Sequence, residues 1–342
     1  MADVLDIALF LERSRQLPVL DVRTPAEFTQ GHIPGAHNLP LFSDEERAEV
    51  GTLYKQEGRD EAVRRRLDII GPKIRRLVET TESMVVGREV LIHCWRGGMR
   101  SAGMARLLES AGYHVGTLRG GYKSFRRCVL EAFALPREVH ILGGMTGSGK
   151  TEVLRALAQR GEQVIDLEAL AHHKGSVFGH LGEPKQPSQE HFENVLAVQW
   201  RFLNLARPVW IEDESRRIGR LLVPGAFWVQ MQQAPVYVLD VPFEARVHHL
   251  VATYGAHEAA YLVEAIDAIS KRLGGLRTKQ ARNAVFDGDL EGACRLVLTY
   301  YDQTYQYGLE KRNRANQHLF SASTCDTPDT LAEALLEVAL CS

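Results

Sequence analysis

The run Val139-His140-Ile141-Leu142-Gly143-Gly144-Met145-Thr146-Gly147-Ser148-Gly149-Lys150-Thr151 admits few backbones. Its apolar start reads as a buried strand, and the residues from Thr151 through Gln159 read as a helix. Between them stands Gly-x4-Gly-Lys-Thr, the spacing of a P-loop in the strand-to-helix context that this motif requires. The glycines let backbone N–H groups close around a diphosphate, Lys150 adds a point charge, and Thr151 can hold Mg²⁺. Gly144, Gly147, Ser148, Gly149, Lys150 and Thr151 are therefore the candidate ligand-binding residues of the second half. Further strands are expected over residues 163–167, 207–211 and 236–241, giving a parallel sheet with helices on its faces. The second of these ends in Glu212-Asp213-Glu214, at the carboxyl end of a strand, where ligand groups sit in an open α/β sheet. Asp213 or a neighbour is expected to hold Mg²⁺ together with Thr151, and strand register leaves open which acid points inward.

A second strand–loop–helix stands earlier in the chain, at Val90-Leu91-Ile92-His93-Cys94-Trp95-Arg96-Gly97-Gly98-Met99-Arg100-Ser101. A cysteine that opens such a loop is ringed by backbone N–H groups and faces the positive end of the following helix dipole. Both effects favour thiolate, so Cys94 is expected to be a nucleophile, with Arg96, Gly97, Gly98 and Arg100 around it. Arg23, Arg96 and Arg100 could all hold an anion there, or serve only as salt-bridge partners. Arg100 lies six positions after Cys94, the Cys-x5-Arg spacing of cysteine phosphatases.

Composition narrows the class. The chain has 342 residues, 45% hydrophobic and 25% charged, enough for two domains with their own cores. A net charge of −2 advertises no global attraction for nucleic acid, so a polyanion must be held by local patches. Five cysteines (Cys94, Cys128, Cys294, Cys325 and Cys341) show no paired-ligand spacing, which argues against a disulfide framework or structural zinc and for a reducing compartment. An acidic rather than basic N-terminus and the lack of a long apolar run point to a cytoplasmic protein with no membrane partner.

The remaining segments carry weaker expectations. Residues 4–15 read as one amphipathic helix, and Thr24-Pro25-Ala26-Glu27 as the capped start of another. Residues 43–84 are charged and helical in pattern, and their basic clusters Arg64-Arg65-Arg66 and Lys73-Ile74-Arg75-Arg76 either face solvent or contact RNA phosphates. His172 and His173 are adjacent, so solvation or an anion contact fits them better than a metal. Residues 175–190 read as a mobile loop over the phosphate site. From about residue 256 the pattern turns helical, with basic clusters that include Lys311-Arg312-Asn313-Arg314. Tyr300, Tyr301, Tyr305 and Tyr307 belong to the helix core or stack on bases.

Asp21-Val22-Arg23, Gly31-His32-Ile33-Pro34-Gly35-Ala36, the His93-Cys94 loop and Leu118-Arg119-Gly120-Gly121-Tyr122 together resemble the rhodanese family over about residues 5–130. That resemblance implies an α/β domain carrying sulfur or selenium on Cys94. A rhodanese-like loop followed directly by a P-loop domain resembles the bacterial tRNA 2-selenouridine synthase family along essentially the whole chain. Glu49-Val50-Gly51-Thr52-Leu53-Tyr54-Lys55-Gln56, Gln186-Pro187-Ser188-Gln189 and Ile211 to Gly219 are similar to stretches of that family. The passage Ala171-His172-His173-Lys174 departs slightly from it, which leaves the role of Lys174 open.

The resemblance implies an α/β protein with a rhodanese-like domain over 1–135, carrying a helical insertion at about 43–84, and a P-loop NTPase-like parallel-sheet domain over 136–342 with a helical C-terminal part. It implies a transferase that converts wobble 2-thiouridine of tRNA to 2-selenouridine. Geranyl diphosphate first alkylates the sulfur, and selenophosphate then supplies selenium. Both are co-substrates, the selenophosphate synthetase is a candidate donor partner, Mg²⁺ is the metal expected, and no tightly bound cofactor is implied. On this division Lys150 and Thr151 hold the diphosphate. Cys94 accepts selenium as a selanylcysteine or otherwise assists, with Arg96 and Arg100 on the phosphate end. Two other classes stand beside it: a P-loop kinase fused to a cysteine phosphatase-like domain, and a non-catalytic sulfur-relay or RNA-binding adaptor.

Overall fold

Apolar strands bounded by short caps organise both halves of the chain. The computed structural model describes residues 2–310, 317–321 and 327–340. The chain divides into two units, Met1–Ala132 with Glu193–Val198, and Phe133–Phe192 with Gln199–Ser342.

The first unit is built on five strands, β1 (Asp3–Leu5), β2 (Val19–Asp21), β3 (His37–Asn38), β4 (Glu89–His93) and β5 (His114–Leu118). They lie in the order β1-β5-β4-β2-β3 with every neighbouring pair parallel. Val90, Leu91, Ile92 and His93 of β4 are all buried, as expected of a strand covered on both faces. The expected helix over 4–15 is shorter. Residues 3–5 pair with β5, and the helix Ile7–Arg13 begins only after Asp6, whose carboxylate accepts from the Leu9 N–H at 2.9 Å. An N-cap so early in the segment frees the residues before it to join the sheet edge. The capping box at Thr24 forms as read, with Glu27 N–H donating to Thr24 Oγ1 and Thr24 N–H to Glu27 Oε2.

Residues 43–84 form the helices Asp44–Gln56, Arg59–Ile70 and Ile74–Met84. Val50, Ala62, Ile69 and Leu77 from these helices share one core with Val90 and Ile92 of β4. The insertion is thus part of the domain's core. Arg64 pairs with Glu61, Arg65 with Glu49, Lys73 with Glu46 and Arg75 with Glu79, so both basic clusters are largely tied up in local ion pairs. Arg66 is not.

The second unit contains β6 (Val139–Gly144), β7 (Gln163–Ile165), β8 (Val209–Glu212), the hairpin strands β9 (Arg217–Ile218) and β10 (Leu221–Leu222), β11 (Val236–Asp240) and β12 (Gln317–Ser321). The parallel sheet runs β12-β11-β6-β8-β7. β12 escapes the sequence reading because it is a half-exposed edge strand with polar ends, inside a region whose neighbours are helical. After it, Leu331, Ala332 and Leu335 of the helix Pro328–Leu340 pack on Val153, Leu154 and Leu157 of the helix Lys150–Gln159. The cluster Lys311-Arg312-Asn313-Arg314 lies outside the described residues, as do Cys325 and Cys341.

The segment expected to be mobile over 175–190 is anchored at its far end. Gln186 donates to Ala171 O (3.0 Å) and Ile218 O (3.2 Å) and accepts from Arg220 N–H. Gln189 exchanges hydrogen bonds with the Leu222 backbone at 2.7 and 2.8 Å. The Gln-Pro-Ser-Gln stretch therefore clamps the β9–β10 hairpin, and Gly219 lies against the Gln186 side chain.

Candidate functional site

β4 ends at His93, the loop turns at Cys94, and the helix Met99–Ser110 begins five residues later. The Gly120-Gly121 pair explains how the loop is held open. Tyr122 N–H donates to Cys94 O at 2.8 Å and Lys123 N–H to Trp95 O at 3.0 Å. These bonds use the loop's first carbonyls and leave its N–H groups on the sulfur side. Gly121 has φ +61°, and a Cβ there would lie 2.3 Å from Cys94 O. Gly121→Ala is expected to cost about 3 kcal/mol through strain and backbone clash, read as a lowered urea midpoint.

Cys94 is buried. Its Sγ lies 3.2 Å from Ser101 Oγ and accepts from Gly98 N–H at 3.4 Å. Burial alone would raise the thiol, but the hydrogen bonds from the Ser101 hydroxyl and from the Ser101, Gly98 and Arg96 N–H groups outweigh it and lower its pKa. A thiolate at the floor of an amide-lined loop, facing a helix N-terminus, is the species these contacts favour.

The arginines divide. Arg23 is fully buried, paired with Asp21, bonded to Gly31 O at 2.7 Å and stacked 3.6 Å from the Tyr122 ring centroid. It staples the sheet behind the loop, so of its two readings the salt-bridge partner is the one realised, buried rather than at the surface. His93 is likewise internal: burial first of all pushes its pKa down to about 4, so it is neutral. Arg100 pairs with Glu27 at 2.7 Å, and that partner limits what it offers an anion by itself. Arg96, Gly97 and Gly98 are exposed on the loop. Arg66, which the sequence did not single out from its cluster, reaches the helix start, with Nη1 3.6 Å from Met99 Sδ and a buried Nε without a partner.

In the second unit β6 delivers the P-loop, and the helix Lys150–Gln159 follows directly. Lys150 Nζ donates to Gly144 O at 2.9 Å, and Gly144 N–H donates to Tyr305 Oη at 2.7 Å. Gly147 packs against Leu250 and the Arg246 carbonyl, and Gly149 caps the helix in the left-handed region. Ser148 Oγ is buried without a partner, as in a loop shaped for an oxygen-rich ligand. Arg246, which the sequence did not flag, donates to Thr146 O and forms a two-pronged pair with Asp302 at 2.8 Å.

Beside Lys150 the structure gathers Glu168, Glu212 and Glu214, whose oxygens lie within 4.8 Å of one another. Thr151 Oγ1 is 3.4 Å from Glu168 Oε2, and Glu212 Oε1 accepts from Glu168 N–H at 2.7 Å. Burial raises all three; neighbouring carboxylates add to it at Glu168, pushed up to about 9, and at Glu212, whereas Lys150 opposes it at Glu214. Glu212 Oε2 is buried and unpartnered. Hard oxygen donors in this arrangement suit Mg²⁺. The acids that converge are thus the two flanking Asp213 and, unforeseen, Glu168. Asp213 is not in the cluster, because alternate residues leaving β8 point to opposite sides.

His172 bonds Lys185 O and His173 is buried, and neither belongs to the metal-binding set found among the described residues. Lys174 pairs with Glu183. Tyr300 accepts from Arg272, Tyr301 from Val177 N–H, and Tyr307 is exposed. Tyr301 also lines a half-open cavity whose lining includes Thr146 of the P-loop. Phe178, Leu262, Ile266, Val285 and Val297 make its walls almost wholly apolar. Among the described residues no helix is long and apolar enough to cross a membrane.

Residues 137–336 match the family described as the tRNA 2-selenouridine synthase AAA domain, and residues 6–128 match the rhodanese-like domain. The chain is 37% identical over 332 residues to a tRNA 2-selenouridine synthase of Shewanella sediminis, covering 86% of this chain and 88% of the relative. A Shewanella piezotolerans protein of the same name is 38% identical over 333 residues (86% and 89%), and one from Bdellovibrio bacteriovorus 33% over 347 (87% and 90%).

Proposed function

The chain belongs to the tRNA 2-selenouridine synthase family, and from that premise we propose a two-step exchange at wobble 2-thiouridine, geranylation followed by selenation. The observation that carries the first step is the apolar cavity whose lining includes Thr146. A nucleotide would place a polar base and ribose beyond its phosphates. An almost wholly apolar wall suits instead a diphosphate with a hydrocarbon tail, and geranyl diphosphate is such a molecule.

In this reading the P-loop amides and Lys150 hold the diphosphate where negative charge grows. The thiouridine sulfur attacks C1 of the geranyl group, the C–S bond forms, and the C–O bond breaks with its electron pair leaving on pyrophosphate. Thr151 with Glu168, Glu212 and Glu214 would hold Mg²⁺, which when bound adds charge for the departing pyrophosphate. Selenide then adds at C2 and the sulfur leaves as geranylthiol. Alkylation matters because it turns a poor leaving group into a good one. Cys94 serves this second step.

Nucleoside mass spectrometry of thiolated tRNA tests the sequence, with geranyl diphosphate and selenophosphate added singly and together. S-geranyl-2-thiouridine with the first alone and 2-selenouridine with both are expected. Selenouridine formed at full rate without geranyl diphosphate would sink the two-step order. Val297→Trp is expected to raise KM for geranyl diphosphate about tenfold by filling the cavity, with selenation of pre-geranylated tRNA unchanged.

A further inference from the structure

The Cys94 loop carries more than a sulfur or selenium shuttle needs. The helix start that holds Ser101 against the thiol also carries Arg100, pinned by Glu27, and meets Arg66, whose guanidinium has no carboxylate partner. Arg47 stands near enough to Arg66 for the two to repel, and Arg100 repels it more strongly. The half-buried Arg66 and Arg100 guanidinium groups thus stand at the start of the helix that follows an amide-lined loop, with Glu27 paired to Arg100. Such an excess of positive charge, held partly out of water, suits a phosphoryl group. Cys94 and Arg100 keep the Cys-x5-Arg spacing of phosphoryl-transfer loops, and Ser101 follows with its hydroxyl on the thiol.

We propose that Cys94 attacks the phosphorus of selenophosphate and releases hydrogen selenide, with Arg66 and Arg100 around the phosphoryl oxygens. The inference rests on the reading of selenophosphate as the donor. The Sγ–P bond forms and the P–Se bond breaks, its electron pair leaving on selenium as HSe⁻. Water then attacks the phosphocysteine, phosphate departs, and the pair returns to Sγ, where the Ser101 hydroxyl stabilises the thiolate. Phosphorus and selenium keep their oxidation states throughout, and HSe⁻ is the nucleophile that the geranylated base requires. Attack at selenium, the route to a selanylcysteine, would instead leave the P–Se electron pair on phosphorus and release phosphite. Returning that phosphorus to phosphate needs an oxidant.

The test uses selenophosphate labelled with both ³²P and ⁷⁵Se, mixed with the full-length enzyme without tRNA and stopped in alkaline denaturant. Wild type is expected to retain ³²P with ⁷⁵Se free as selenide, Ser101→Ala to retain more ³²P through slower hydrolysis, and Cys94→Ser to retain none and release no selenide. Protein-bound ⁷⁵Se without ³²P, and phosphite as the phosphorus product, would overturn the proposal. So would selenouridine formation by an enzyme that never retains ³²P even as Ser101→Ala, a result that leaves selenophosphate as the donor. A donor left unconsumed, with no selenouridine when geranylated tRNA is supplied, would remove the parent reading as well. Arg66→Gln is expected to raise KM for selenophosphate about tenfold with tRNA affinity unchanged, and Arg66→Lys to recover part of it. Weakened tRNA binding at unchanged KM would assign the arginines to tRNA phosphates and overturn their role here.

Discussion

Cys94→Ser is expected to lower selenation of geranylated tRNA by about a thousandfold or more while leaving geranylation within about twofold. The loss follows from the chemistry of the group replaced. A serine hydroxyl has nearly the same shape but stays protonated, and the hydrogen bonds from Ser101 and Gly98 that favour a thiolate cannot make it an alkoxide. Geranylation should survive because the P-loop, the acidic cluster and the apolar cavity all belong to the second unit, whereas Cys94 belongs to the first. Time courses of S-geranyl-2-thiouridine and 2-selenouridine by nucleoside mass spectrometry read both steps at once. Parallel loss of the two would mean that the division of labour is wrong.

Lys150→Ala should give the opposite pattern, with geranylation reduced about 100- to 1,000-fold and selenation of pre-geranylated tRNA preserved. Lys150 Nζ bridges the loop at Gly144 O and lies beside the Glu168 and Glu214 carboxylates. Its removal takes away the positive charge that offsets the growing charge on pyrophosphate and leaves the acids less compensated. Single-turnover rates with geranyl diphosphate in excess separate the chemical loss from weaker binding. An unchanged single-turnover rate would place the diphosphate elsewhere.

Much of this site was legible because two of its motifs are local. In Gly-x4-Gly-Lys-Thr and in the Cys94 loop, strand, turn and helix start are contiguous, so the residues that shape each loop are neighbours in sequence. The same holds for the Thr24 capping box, whose two partners are three residues apart. By contrast, Arg66 looked like an ordinary member of a charged run, and Glu168 belonged to no motif. Glu168 becomes a site residue only because it caps the approach to Thr151 from a different βα connection, and Arg66 because its helix packs on the core behind β4. For Arg23 the sequence left an anion ligand and a salt-bridge partner open, and burial with Asp21 and against Tyr122 selects the second.

The sequence by itself determined that the chain carries a loop opened by Cys94 and a Gly-x4-Gly-Lys-Thr loop on two α/β sheets, since each motif encodes its own backbone over about ten residues. Only the tertiary structure decided which acids meet and which arginine stays unpaired. It also decided where the apolar cavity lies, walled by residues between 146 and 301. The physical reason is range. Loop amides and a helix dipole act within one turn of the motif. Desolvation, charge repulsion and cavity shape depend on side chains that meet only when distant elements pack.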